Sequence, residues 1–401
     1  MTRNAEHGRK PTHLVASNAA MDYFAAGIDP QDIPRSILRR AAKLDGSSGF
    51  HSKVLMPLDE IDAHQAALEA RGATILKRGG GNLSIGVRIA ALLDEGQVRI
   101  RSWVGKDNDG KFLKNELRES RNVEPVISEF EWKTPRGLVI PINTPKGLDR
   151  VIFSFKQPDM PSDFVQHIPE HLHFAVVNSL YGPDWAANME AGIDKLTGDN
   201  TRYVDTPGSP QLEAVTYADD PAKRDPEKIR AVYKAVQHAE VLSLDLHELK
   251  TLLVGVKHVG GEMYHKEILD GAPMEALLKE GQRALGSKVI VVTDGRHGAW
   301  GYDSLHDPQN VWHVAMAPDP DQGVVNTIGA GDAFTAAAAL EYFQTGDIKR
   351  SIEAGSVNGA IATGAYGARE ILPSRDELNE RRMRNGSPEP NPVRDGDRIA
   401  A

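Results

Sequence analysis

The stretch NTIGAGDAFTAAAALEYF, Asn326 to Phe343, decides how the chain is read. Gly329, Ala330 and Gly331 are small, Asp332 is a carboxylate, and the alanine-rich run behind them predicts a helix. A helix start exposes unpaired backbone N–H groups and the positive end of the helix dipole. Small residues let an anion approach that backbone, so Ile328 to Gly331 reads as an anion cradle. A carboxylate repels a bound phosphate as a ligand. It suits a base that orients a hydroxyl attacking that phosphate, while the cradle neutralises charge on the transferred group. A tight glycine turn with an aspartate cap is the plainer alternative, and the string alone does not choose between them.

The surrounding chain has 401 residues, 40% hydrophobic and 26% charged, the balance of a soluble globular protein with a substantial core. Its net charge of -9 argues against general nucleic-acid or acidic-membrane binding. The absence of cysteine rules out disulfides, thiolate metal sites and a cysteine nucleophile. The polar N-terminal stretch has no apolar core of signal-peptide length, and no apolar run approaches a membrane span, so a cytoplasmic protein without a membrane partner is expected. The stretch 381–401, rich in Pro, Gly and charge, is expected to be a disordered tail.

Upstream of the cradle, strand and helix signals alternate. HFAVVNS (His173 to Ser179), TRYVD (Thr201 to Asp205), VLSLD (Val241 to Asp245) and KVIVVTDG (Lys288 to Gly295) read as strands buried on both faces. Ile229, Val232, Tyr233 and Val236 mark a helix between two of them. Such alternation predicts an α/β domain with helices on both faces of a parallel sheet. Between about Ile127 and Phe153 two β-rich runs flank Thr144-Pro145-Lys146-Gly147 and read as a hairpin. HLVAS (His13 to Ser17) and VRIRSWVG (Val98 to Gly105) are further strands. Gly79 to Gly81 turn the chain into a helical pattern.

Asn326-Thr327-Ile328-Gly329-Ala330-Gly331-Asp332-Ala333-Phe334 resembles the D-T-x-G-A-G-D-x-F signature of the ribokinase (PfkB-type) carbohydrate kinase family, with Asn326 where an aspartate is common. The resemblance runs from about His13 to Ser374. Val291 to Ala299 resembles the family's strand and T-x-G-x-x-G turn. Ser356 to Ala360, with Thr363 to Ala365 and Leu372 to Ser374, resembles the helix and turn beside the adenine. Asp245-Leu246-His247-Glu248 is similar to N-x-x-E, with Asp245 replacing asparagine. Gly79-Gly80-Gly81-Asn82 resembles the acceptor glycine turn in compressed form, and Asp22 matches an acceptor-binding aspartate.

What the resemblance implies is a three-layer sandwich with a mostly parallel central sheet and a small β-rich lid. The kinase domain would span 1–380, with lid segments near 23–72 and 127–157. The implied activity is ATP-dependent phosphorylation of a hydroxyl on a sugar or sugar-like molecule. Asp332 would be the base and the Gly329, Ala330 and Gly331 amides the anion hole. Thr293, Gly295, Gly298, Thr327 and Asn358 would hold the nucleotide. Asp22, Gly80, Gly81 and Asn82 would hold the acceptor, and Glu248 and Asp245 the Mg²⁺ region. A monovalent cation and a homodimer through the lid are further features that the resemblance suggests. An adenosine-like acceptor, or a ligand sensor that kept the fold, are the alternatives. A dinucleotide-dependent oxidoreductase is disfavoured because the cradle lies late in the chain without G-x-G-x-x-G spacing. The histidines His167, His171 and His173 lack a convincing further metal ligand.

Overall fold

The computed structural model describes residues 12–17, 19–28, 30–34, 37, 53–144, 147–155, 163–178, 180, 182–317, 323–384 and 391–392, to which all structural statements refer. Its strands are β1 (Thr12–Ala16), β2 (Ala20–Ala26), β3 (Lys53–Leu55), β4 (Thr74–Gly80), β5 (Gln97–Gly105), β6 (Val123–Phe130), β7 (Arg136–Thr144), β8 (Gly147–Phe155), β9 (Phe174–Asn178), β10 (Tyr203–Thr206), β11 (Val241–Asp245), β12 (Val289–Thr293), β13 (Ala299–Asp303), β14 (Asp307–Val314) and β15 (Asn391–Pro392). They form a ten-stranded sheet, ordered β15-β14-β13-β12-β11-β10-β9-β1-β5-β6, and a five-stranded sheet, ordered β3-β8-β7-β2-β4.

In the large sheet β6, β5, β1, β9, β10, β11 and β12 pair in parallel. The strands from β13 to β15 extend it in antiparallel fashion. Successive side chains point to opposite faces, so each strand feeds two cores. Val15, Val176 and Val291 pack with the helices Ser84–Leu92, Ala330–Thr345 and Ile348–Ala362. Leu14, Val177 and Val292 pack with Trp185–Gly198, Pro226–His238, Leu246–Gly255 and Met274–Leu285. The result is the three-layer sandwich that the alternating pattern predicts.

The small sheet takes β2, β3 and β4 from residues 20–80 and β7 and β8 from residues 136–155. β7 and β8 are the antiparallel hairpin, and Pro145 and Lys146 at its turn lie outside the described residues. β2 pairs with β7 in parallel and with β4 in antiparallel fashion. Two boundaries differ from expectation. Ile127 to Phe130 belong to β6 at the edge of the large sheet, so the second segment of the small sheet begins at Arg136. The first segment begins before residue 23, at Ala20, and Asp22 lies within β2.

The expected tail also begins later than Arg381. Arg375–Arg384 is one helix, tied back by an ion pair from Arg382 to Glu353, and Asn391–Pro392 pair with β14. The remaining tail residues lie outside the described set. His171 and His173 are not in a strand, because β9 starts at Phe174. Among the described residues no helix is long and apolar enough to cross a membrane.

Candidate active site

Parallel strands bring their carboxyl ends to one edge, where α/β folds place ligands. Here that edge carries Asn178, Asp205, Asp245 and Thr293, at or next to the ends of β9, β10, β11 and β12. The helix Ala330–Thr345 lies against the sheet there, and Ser243 and Thr335 share a 2.7 Å hydrogen bond across the contact.

Gly329 caps that helix with φ 78° and ψ 2°, a left-handed conformation that glycine adopts without strain. A Cβ on Gly329 would come within 2.4 Å of the Ala368 Cβ, so the neighbouring loop occupies the missing side chain's place. A Cβ on Gly331 would meet nothing within 4 Å. One glycine is therefore a packing requirement and the other faces open space. Ala330 N donates to the Thr327 carbonyl at 3.3 Å, which closes the turn before the helix. Asn326 explains its departure from aspartate. Its Oδ1 accepts from Ile328 N at 3.2 Å, and its Nδ2 donates to the Tyr366 carbonyl at 2.8 Å. A carboxylate could make the first bond and not the second.

Asp332 is half-buried in the first helical turn. It is the main electrostatic support for the buried Arg88 guanidinium, which burial, with Arg369 adding to it, pulls down to about 10. Its charge also acts on Glu248. Burial first, then Asp245, Asp332 and Asp205, push the Glu248 carboxyl well above the usual range. Asp205 is itself pushed up to about 8 by burial. The site thus carries several carboxylates in mutual repulsion, with Arg88 as a fixed counter-charge.

Asp245 and Glu248 form a reciprocal cap on the helix Leu246–Gly255. Glu248 N donates to Asp245 Oδ1 at 2.7 Å, and Asp245 N donates to Glu248 Oε2 at 2.8 Å. The pair is a capping box. Asp245 also pairs in register with Thr293 at the end of β12. Beyond Thr293, Gly295 and Gly298 take φ of 50° and 92°, and Asp294 N donates to the Gly298 carbonyl at 3.0 Å. A Cβ on Gly298 would lie 2.1 Å from the Val314 carbonyl, whereas one on Gly295 would meet open space.

Asn358 departs from its expected place. It is fully buried, and its Nδ2 donates to the Ala333 carbonyl at 2.7 Å. It braces the cradle helix from behind instead of presenting an amide to a nucleotide.

On the other side, Asp22 lies opposite Arg78 across β2 and β4. Side chains on Gly80 and Gly137 would collide with its carboxylate, at 1.8 Å and 2.9 Å. The two glycines therefore give Asp22 its place. Gly79 is needed for a different reason: a Cβ there would lie 1.5 Å from Arg369 Nη2. Gly81, with φ 77°, turns the chain into the helix Ser84–Leu92. Asn82 Nδ2 donates to Asn178 Oδ1 at 2.9 Å. Asn178 is buried at the end of β9, and its own Nδ2 has no hydrogen-bond partner among the described residues.

The two sides meet through adjacent residues of one loop. Ala368 packs on Gly329, and Arg369 donates to Gly79. Arg88, Asn178, Asp205 and Arg369 are polar groups at this junction that sequence reasoning did not single out. Arg88 and Asn178 did leave a signal, as single polar residues in the otherwise apolar runs SIGVRIAAL and FAVVN. Arg369 sits in a turn and Asp205 within β10, and neither left one.

Residues 207–375 match the model described as pfkB family carbohydrate kinase. The chain is similar to that family over this stretch, less than half of its length. Its fold is ribokinase-like. An adenosine kinase from Schistosoma mansoni, in complex with 2-fluoroadenosine, superposes with a TM-score of 0.63 at 16% identity, over 91% of this chain and 98% of that one. A fructokinase with bound ATP from Xylella fastidiosa superposes with a TM-score of 0.61 at 15% identity, over 94% and 99%. An ATP-dependent ribose-1-phosphate kinase from Halopiger xanaduensis is 32% identical over 109 residues, 26% of this chain and 34% of that protein. The chain thus spans about a third of the length of this curated relative.

Proposed function

We propose that the protein is a cytoplasmic, ATP-dependent kinase that transfers the γ-phosphoryl group to a hydroxyl of a sugar or sugar-like small molecule. The observation that carries the reading is the position of Asp332. It stands in the first turn behind the glycine cradle, and the loop on which Gly329 packs also holds the glycine turn beside Asp22.

Asp332 would accept the acceptor hydroxyl's proton as the oxygen attacks phosphorus and the bond to the departing nucleotide breaks. The amides at Gly329, Ala330 and Gly331 would offset charge building on the transferred group. Thr327 would flank that group. Thr293, Gly295 and Gly298 would lie along the nucleotide, where Gly295 is open to approach. Asp22, with the backbone of Gly80 and Gly81, and Asn82 with Asn178, would position acceptor hydroxyls. The small sheet would close over them and exclude water as a competing nucleophile.

The donor set suits Mg²⁺ of the kind held mainly by phosphates and water. Among the described residues no group of three or more His, Asp or Glu side chains could cage a metal. Asp245 and Glu248 each use one oxygen in the capping box. They would act on the ion from its outer surroundings. When bound, Mg²⁺ would neutralise phosphate charge.

The polar groups beside the acceptor turn favour a sugar over a nucleoside, which would call for an apolar or aromatic face. A dimer through the small sheet, and a single kinase domain over 1–380, complete the proposal. ADP release from MgATP, measured across sugars, sugar phosphates and nucleosides, tests it.

A further inference from the structure

We propose that the Arg88 guanidinium is a built-in cation of the cradle, and that this chain works without a monovalent metal ion. The activity arm of the proposal rests on the kinase reading; the rest stands on the fold.

Arg88 occupies an apolar helix and is only 1% exposed. Burying a guanidinium costs several kcal/mol unless its charge and N–H groups are matched. The match comes from one loop. Arg88 Nε donates to the Ala368 carbonyl at 2.9 Å, Nη2 donates to the same oxygen, and Nη1 donates to the Ile371 carbonyl at 3.3 Å. This loop closes onto the cradle. Ala368 fills the space beside Gly329, and the Tyr366 carbonyl accepts from Asn326. Asp332 is the carboxylate that supports the Arg88 charge.

A monovalent ion beside the cradle would need carbonyl and carboxylate oxygens. The carbonyls of Tyr366, Ala368 and Ile371 already accept from N–H donors. Position 326 turns an amide nitrogen toward the loop where a carboxylate would offer an oxygen. A second cation on the same carbonyls would also face a guanidinium at contact distance, in a region of low dielectric. These donors do not fit the ion, and the chain supplies the charge itself. Arg88 is a positioning residue: it steadies residues 366–371, hence Gly329.

The test compares KCl, NaCl and tetramethylammonium chloride at equal ionic strength, read by melting temperature and by ADP release. Wild type is expected to melt at one temperature and to turn over within about twofold in all three salts, since an ion that does not bind shifts nothing. Arg88→Ala is expected to lose turnover and to recover part of it with added guanidinium, while Arg88→Lys retains more. A rise in the wild-type melting temperature specific to K⁺ or Na⁺, or activation by about tenfold or more over tetramethylammonium, overturns the proposal. So does an Arg88→Ala variant that folds, turns over normally and ignores guanidinium. If Arg88→Ala does not fold, Arg88→Lys carries the variant comparison. If no acceptor supports turnover in any salt, the kinase reading fails, and the wild-type melting comparison still decides this proposal.

Discussion

Arg369 Nε donates to the carbonyl of Gly79 at 3.0 Å, joining positions 290 residues apart. Arg369 Nη2 lies 2.9 Å from Glu116 Oε2, and Phe24 of β2 stands 6.3 Å, ring to ring, from Tyr366 of the same loop. The Gly79 to Gly81 turn, the small sheet and the Gly329 turn are therefore held by one short stretch, Tyr366 to Glu370.

Gly79→Ala is the sharpest probe of that junction, because the new methyl would overlap the guanidinium at 1.5 Å. Overpacking of this kind should destabilise the fold by roughly 1–3 kcal/mol. The account predicts a raised KM for the acceptor with MgATP affinity retained. Urea denaturation and steady-state kinetics read the two effects separately.

Asn326→Asp should cost about 1–3 kcal/mol at pH 7, because the Tyr366 carbonyl would face a carboxylate in place of a donor. Lowering the pH toward the carboxyl's own titration should return part of the loss. Denaturation of variant and wild type at two pH values checks it.

Asp245 separates a capping role from a charge role. Asp245→Ala should lose about 0.5–2 kcal/mol with the cap to Glu248 N. Asp245→Asn keeps an acceptor for that N–H and removes a charge that raises the Glu248 pKa. It should be nearly as stable as wild type, with Glu248 titrating lower, which NMR of the labelled side-chain carboxyl would report.

His13 gives the fold a pH dependence far from the site. It is buried against His173 and Phe174, with ring centroids at 5.3 and 4.4 Å. Burial, with His173 adding to it, lowers its pKa to about 3, so it stays neutral in the fold while the unfolded chain takes up a proton below 6.5. The unfolded state binds more protons, so stability present above pH 6.5 is lost as pH falls toward 3. The loss from this one group should reach about 1.4 kcal/mol by pH 5.5. His13→Leu should flatten that part of the profile in urea titrations.

Much of this architecture was legible in the chain. The apolar runs of β9, β11 and β12 are buried on both faces, as their near-continuous hydrophobicity requires. Gly329, three residues before Asp332, caps a helix, as its neighbours predict. What was not legible depends on contacts between distant segments. Asn358 carries a motif position, yet its face of the helix is turned inward by packing against Ala330–Thr345. Arg88 reaches Ala368 across 280 positions, and no local pattern announces which carbonyls will neutralise it.

The most direct test is acceptor-dependent ADP release from MgATP by wild type and Asp332→Asn, across a panel of sugars, sugar phosphates and nucleosides. The account predicts turnover with a polyhydroxylated acceptor, and a fall in kcat of about 10²–10⁴-fold in the variant while MgATP still binds. Turnover that survives the substitution undiminished, or a wild-type protein that binds no MgATP, would contradict it.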